Sequence, residues 1–110
     1  MTIESTLAGD KVVLAFSGRL DAQNAPEFEK ACKDWIEKGS LHLVIDLAGL
    51  AYVSSLGLRS FLIVGQALNE KNGTFRLCGL KGLVKQVFEM TRLTAVFAIH
   101  ETVESALAGA

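Results

Sequence analysis

Leu41-His42-Leu43-Val44-Ile45-Asp46-Leu47 is a short run of branched apolar residues, interrupted by His42 and closed by Asp46. It reads as a strand buried on both faces. Ala48 to Val53 connects it to Ser54-Ser55-Leu56-Gly57-Leu58-Arg59-Ser60, where a long helix opens from about Leu56 and runs to Lys71, stopping at Asn72-Gly73. A buried strand feeding a long helix is the repeating unit of an α/β layer.

Thr2 to Leu7 and Lys11 to Phe16 are extended segments joined by Ala8-Gly9-Asp10, a hairpin that ends at Ser17-Gly18. Arg19 to Gln23 is turn-like. Asn24-Ala25-Pro26-Glu27 then predicts a helix start: Asn24 can cap, Pro26 fits the first turn, and Glu27 stands at capping-box distance. Phe28, Ala31, Cys32, Trp35 and Ile36 line one helical face, and Gly39 ends it. Thr74 to Cys78 predicts another strand. Leu80, Leu83, Val84, Val87 and Phe88 mark a third helix, Ala95 to Ile99 a last strand, and Thr102 caps a final helix. The expected architecture is one α/β domain: a mixed, mostly parallel sheet of four to five strands, an opening hairpin, and about four helices. Glycines at 49, 57, 65 and 73 recur every eight residues, but their flanks share nothing, so no repeat is read.

The chain has 110 residues, half of them apolar, 21% charged and a net charge of -1. That length buries roughly two-thirds of the unfolded surface, enough for one core without staples. Lys and Arg are scattered, which disfavours a nucleic-acid surface. Cys32 and Cys78 fall among apolar positions and read as buried small side chains, not as a disulfide or redox pair. Met1 to Gly9 carries no basic stretch followed by an apolar run, and no stretch reaches membrane-span length. A cytosolic (cytoplasmic) location without membrane insertion is the expectation.

Catalytic patterns are absent from the sequence. His42 and His100 stand alone in or beside strands, with no clustered metal ligands. Gly79-Leu80-Lys81-Gly82 lacks phosphate-loop spacing and reads as a tight strand-to-helix turn. No cofactor, metal or enzyme activity is expected.

Ser54 to Arg59 carries the functional signal. Either serine hydroxyl can accept a bond from a first-turn N–H, so capping is one reading. Tyr52, Val53, Leu56 and Leu58 wrap the serines in apolar side chains, and Gly57 weakens the helix unless a close approach is needed there. Along the helix, Leu58, Phe61, Leu62, Gly65 and Leu68 form the expected core stripe. Leu56, Ser60, Ile63 and Ala67 form a second, displaced line. That line is either a contact face for a partner or the edge of a wide buried face. A phosphate at this helix start would meet free N–H groups and the positive end of the helix dipole.

Gly18-Arg19-Leu20-Asp21, Leu43 to Leu47, Tyr52 to Arg59, Gly79-Leu80 and Phe88-Glu89-Met90-Thr91-Arg92-Leu93 together resemble the STAS domain family, and within it the bacterial anti-sigma factor antagonists. The resemblance covers almost the whole chain, 1–110. It implies a phosphorylation-controlled switch that binds an anti-sigma factor acting also as a serine kinase, with a serine phosphatase resetting it. It implies Ser55 as phosphoacceptor, with Ser54 a minor rival where relatives often carry aspartate. Asp21, Ser54, Leu56, Gly57, Arg59 and Ile63 would meet the partner, Asp21 being equally readable as a turn residue. A weak homodimer is compatible with this reading. An alternative implied function is a non-phosphorylated STAS subunit docked on the ATPase of a lipid-transport ABC complex.

Overall fold

The computed structural model describes residues 1–108. Its elements are β1 (Thr2–Ala8), β2 (Lys11–Leu20), α1 (Ala25–Glu37), β3 (His42–Val53), α2 (Ser55–Glu70), β4 (Thr74–Cys78), α3 (Gly82–Met90), a 3-10 turn at Leu93–Ala95, β5 (Ala98–His100) and α4 (Val103–Ala108). The five strands lie in the order β1-β2-β3-β4-β5. The β1–β2 pair is antiparallel and the other three pairs are parallel. The expected hairpin and mostly parallel sheet are both present.

Strand order never reverses, so three successive right-handed crossovers place α1, α2 and α3 on one face. The core follows from this. Val12, Leu14 and Phe16 of β2 and Leu43, Ile45 and Leu47 of β3 point to that face. There they pack with Phe28, Cys32 and Ile36 of α1, Phe61, Val64 and Leu68 of α2, and Val84 and Phe88 of α3. Val13, Val44 and Cys78 point the other way and are covered by Ala106 of α4. Arg76 is buried on this second face, where its guanidinium donates to the Ala106 carbonyl at 3.0 Å and ties α4 to the sheet. Burial pushes the Cys78 thiol up to about 11, with the Asp46 and Glu104 carboxylates adding to the shift, and raises Cys32 further still.

Both long helices end as their sequences predict. Gly39 sits at φ +94, with its N–H on Ile36 O and the Ser40 N–H on Trp35 O. Asn72 takes the same left-handed role after α2, at φ 60, and the Gly73 N–H closes on Leu68 O at 2.8 Å.

Four expectations need correction. β3 does not stop at Leu47; it continues through Val53, pairing Ser17 with Gly49, Gly18 with Leu50, Arg19 with Tyr52 and Leu20 with Val53. Register shifts at Ala15/Ser17 and Gly18/Arg19 break the alternation that would have revealed it. A Cβ on Gly49 would lie 2.7 Å from the Ser17 Cβ, so glycine is what lets the strands stay paired there. β2 accordingly extends to Leu20, past the expected end at Gly18. The last strand begins at Ala98, not Ala95, because Arg92 turns left-handed at φ 61 and the following residues coil into the 3-10 turn anchored by Leu93. Finally, the third helix starts at Gly82, after the glycine turn, and not at Leu80.

Candidate functional site

β2 and β3 end side by side, and α1 and α2 start there, so both helices aim their N-termini at the same edge of the sheet. In parallel sheets this edge is where ligands and partners are met. The two serines lie on it and have different jobs. Ser54 is the N-cap of α2: its extended backbone (φ -90, ψ 173) lets its Oγ accept the Gly57 N–H at 3.2 Å, while its carbonyl accepts the Leu58 N–H at 2.9 Å. The Ser54 N–H in turn donates to the Leu20 carbonyl at 2.9 Å, fixing the helix start to the end of β2. Ser55 is the first residue inside the helix. It is exposed, and among the described residues nothing holds its hydroxyl.

Gly57 explains how tightly this corner is built. A Cβ there would sit 2.9 Å from the Leu20 carbonyl oxygen and 2.9 Å from Val53 Cγ2. The close approach is therefore to the molecule's own β2 and β3. Gly57 is buried, so the approach the sequence left open to a neighbour or a partner is one that β2 and β3 make.

Asp21 is half-buried in the loop between β2 and α1. Its carboxylate accepts the Gln23 N–H at 3.1 Å, its carbonyl accepts the Ala25 N–H at 2.9 Å, and its own N–H donates to Asn24 Oδ1 at 2.8 Å. Asn24 spends its side chain on this loop, also donating to the Arg19 carbonyl, and forms no side-chain cap on α1. The capping box expected from Asn24 and Glu27 is thus absent. The loop needed its amide more than the helix did.

The stripes of α2 are displaced from expectation. Gly57, Ser60, Phe61, Val64 and Leu68 are buried, whereas Leu62, expected in the core, is 42% exposed. The second line, Leu56-Ser60-Ile63-Ala67, faces α1. Ser60 is only 1% exposed, and its hydroxyl donates to Glu29 Oε2 at 2.7 Å across the helix pair. Ile63 and Ala67 are half-buried, and Leu56 is 47% exposed where the helices part. The line is partly a buried face and partly open surface, and the open part adjoins Ser55. Arg59, one turn beyond Ser55, is exposed beside it.

Two features escaped the sequence reading. Arg19 lies over the Tyr52 ring, its guanidinium carbon 4.1 Å from the centroid, on the same edge two residues before Ser54. Both residues fall in quoted motifs, but seeing them together requires the shifted β2–β3 register. The Glu29–Ser60 bond was equally invisible, since only helix packing joins residues 31 apart. By contrast, His42 lies at the opposite ends of the strands, its Nδ1 2.9 Å from Thr74 Oγ1. A hollow of about 630 Å³ lies along the other side of α2 by Leu62, Gly65, Phe75 and Phe97, and no titratable side chain lines it.

This architecture is shared with known proteins. The model of the STAS domain matches residues 2–106, and the chain belongs to that family. BtrV of Bordetella bronchiseptica, provisionally assigned as an anti-sigma factor antagonist, is 33% identical over 97 residues, which are 88% of this chain and 84% of BtrV. Among solved structures, an anti-sigma factor antagonist from Mycobacterium paratuberculosis superposes with a TM-score of 0.88 at 24% identity, covering 97% of this chain and 91% of that one. The Bacillus cell fate determinant SpoIIAA in its phosphorylated form superposes with a TM-score of 0.75 at 18% identity, covering 97% of both chains.

Proposed function

We propose that this protein is an anti-sigma factor antagonist working as a phosphorylation-controlled binding switch. With the Ser55 hydroxyl free, it binds an anti-sigma factor that is also an ATP-dependent serine kinase, and so releases a sigma factor. The kinase passes the γ-phosphoryl group of ATP to Ser55 Oγ; ADP leaves and the hydroxyl proton is lost. The phosphorylated protein then lets go of its partner, and a serine phosphatase hydrolyses the ester to restore the alcohol.

The observation that carries this reading is the division of labour between the serines. Ser54 is committed to the cap, while Ser55 stands exposed and unbonded one residue further on. A kinase can reach the second without dismantling the first. Phosphate adds a charge of about -1.5 to -2. Placed beside exposed Leu56, that charge would have to be desolvated in any contact covering this patch, and release follows. The fold tolerates the charge, because the helix start presents its positive dipole end and has no acidic residue in its first turn. The similarity to BtrV, and a phosphorylated SpoIIAA on the same fold, support the same reading.

The test is a binding measurement with a purified anti-sigma serine kinase. Unphosphorylated wild type should bind, and protein carrying phosphoserine at 55 should bind at least tenfold more weakly. Equal affinity of the two forms would overturn the switch.

A further inference from the structure

The two edges of the sheet are built differently. β5 is three residues long and presents little to a neighbour. β1 is seven residues long, and among the described residues nothing pairs with its outer edge. The usual protections of such an edge are missing from Thr2–Ala8. It holds no proline, lysine or arginine, and its pairing with β2 runs without a bulge from Thr2 opposite Ser17 to Ala8 opposite Lys11. Every second residue of β1 therefore turns its N–H and carbonyl away from β2, with no partner for either. Ile3, Ser5 and Leu7 stand opposite Phe16, Leu14 and Val12, which places them on the sheet face that carries the three helices. Ile3 packs against that core, but Leu7 is 66% exposed.

We propose that β1 is a self-association surface: a second copy of this chain adds its own β1 antiparallel to the first, joining the two sheets edge to edge. Identical strands pair in this way only about a twofold axis through one residue, because both copies must turn their backbone groups outward at positions of the same parity. Centring on Ser5 uses the whole strand. Ser5 then meets Ser5, Glu4 meets Thr6, Ile3 meets Leu7 and Thr2 meets Ala8. Each exposed Leu7 gains an Ile3 as an apolar cross-strand neighbour, and each Glu4 carboxylate faces a Thr6 hydroxyl able to donate to it. Centring on Glu4 would set two carboxylates against each other, and centring on Thr6 would leave Thr2 and Ile3 outside the ladder.

The net charge of -1 per copy opposes the contact little. Two strands of this length bury less than the roughly 1,200 Å² of a stable complex, so a dissociation constant of roughly 10–500 μM is expected. The axis is perpendicular to the sheet, so the second copy is turned end for end within its plane. The two Ser55 corners then point to opposite ends and both stay open. The association is independent of the switch and goes beyond it.

Sedimentation equilibrium of the full chain, from about 5 μM to about 1 mM, brackets that affinity and tests the pairing. Wild type should fit a monomer–dimer equilibrium that stops at two copies, because an isologous contact closes on itself. Ser5 is exposed, so Ser5→Lys and Ser5→Glu should keep the wild-type circular dichroism spectrum. Each should weaken association about fivefold or more, since like charges meet across the axis, and an equimolar mixture of the two should associate again. Leu7→Ala acts once in each copy and should also weaken association about fivefold. Wild type that stays monomeric at the highest concentration overturns the proposal. So does association that grows past two copies, or a Ser5→Lys and Ser5→Glu mixture that stays monomeric. Association that Ser5→Lys leaves unchanged and Leu56→Ala abolishes assigns the contact to α2 and overturns it as well.

Discussion

At the start of α1, Asn24 turns its amide back into the preceding loop, and the first turn already holds an acidic residue, Glu27. At the start of α2, Ser54 turns its hydroxyl forward onto the Gly57 N–H, and the first turn holds no acid. Both helices leave the same edge of the sheet with the same dipole direction. One start is electrostatically complete and tied down by its loop. The other is mechanically complete but electrostatically unmatched, with a bare hydroxyl at its first helical position. Under the proposed switch, that contrast would let a small domain accept a new charge without remodelling, because cap strength and charge vacancy sit on adjacent residues.

The contrast depends most on Gly57. Gly57→Ala improves helix propensity, yet its Cβ has to fit within 2.9 Å of the Leu20 carbonyl and the Val53 side chain. Urea unfolding should show a loss of roughly 1–3 kcal/mol, an overpacking cost that outweighs the propensity gain. Ser60→Ala comes next: it removes the donor to Glu29 at the α1–α2 contact and should cost about 1–2 kcal/mol in the same measurement. The two serines should then separate cleanly. Ser54→Ala should lose about 1 kcal/mol as a vanished cap, while Ser55→Ala should stay within about 0.5 kcal/mol of wild type. Equal losses at both positions would contradict the division of labour. The smallest effect compares the two dipoles directly. Ser55→Asp should stabilise the free protein by about 0.3–1 kcal/mol at low salt, and Glu27→Gln should destabilise it by a similar amount.

A separate pH dependence concerns the buried thiols. Cys78 is raised to about 11 in the folded protein, above its unfolded value, chiefly by burial. The unfolded chain therefore releases a proton first as pH rises, and stability falls between about pH 9 and pH 11. Cys78→Ala should flatten that part of a urea-midpoint profile against pH.

Where one local rule governs, the sequence was readable. β4 at Thr74–Cys78, the stop of α1 at Gly39, the stop of α2 at Asn72-Gly73 and the Thr102 cap, whose Oγ1 accepts the Ser105 N–H at 3.1 Å, all depend on a few neighbouring residues. Structure that arises between distant segments was not readable. The second half of β3 is held by a β2 partner some thirty residues away through two register shifts, and the alternation that signals a strand is lost there. Leu62 looked like core because helical spacing gives a stripe's width but not its rotation, which α1 and the sheet set jointly. The site behaved likewise. That a helix starts at Ser54-Ser55 was legible from two serines standing where a loop enters a helical pattern. Which serine caps was not, because adjacent hydroxyls at a helix start satisfy the same spacing until the Leu20–Ser54 backbone bond fixes the register. Asn24 misled for the same reason, since a side chain able to cap was claimed by a loop.

The proposed switch requires Ser55 to be the residue that receives the charge. Incubation with a purified anti-sigma serine kinase and ATP, followed by tandem mass spectrometry of the peptide spanning Tyr52 to Arg59, measures this directly. One phosphate on Ser55, with the Ser54 hydroxyl unmodified, is the predicted result. Phosphate on Ser54, or on neither serine, would contradict it.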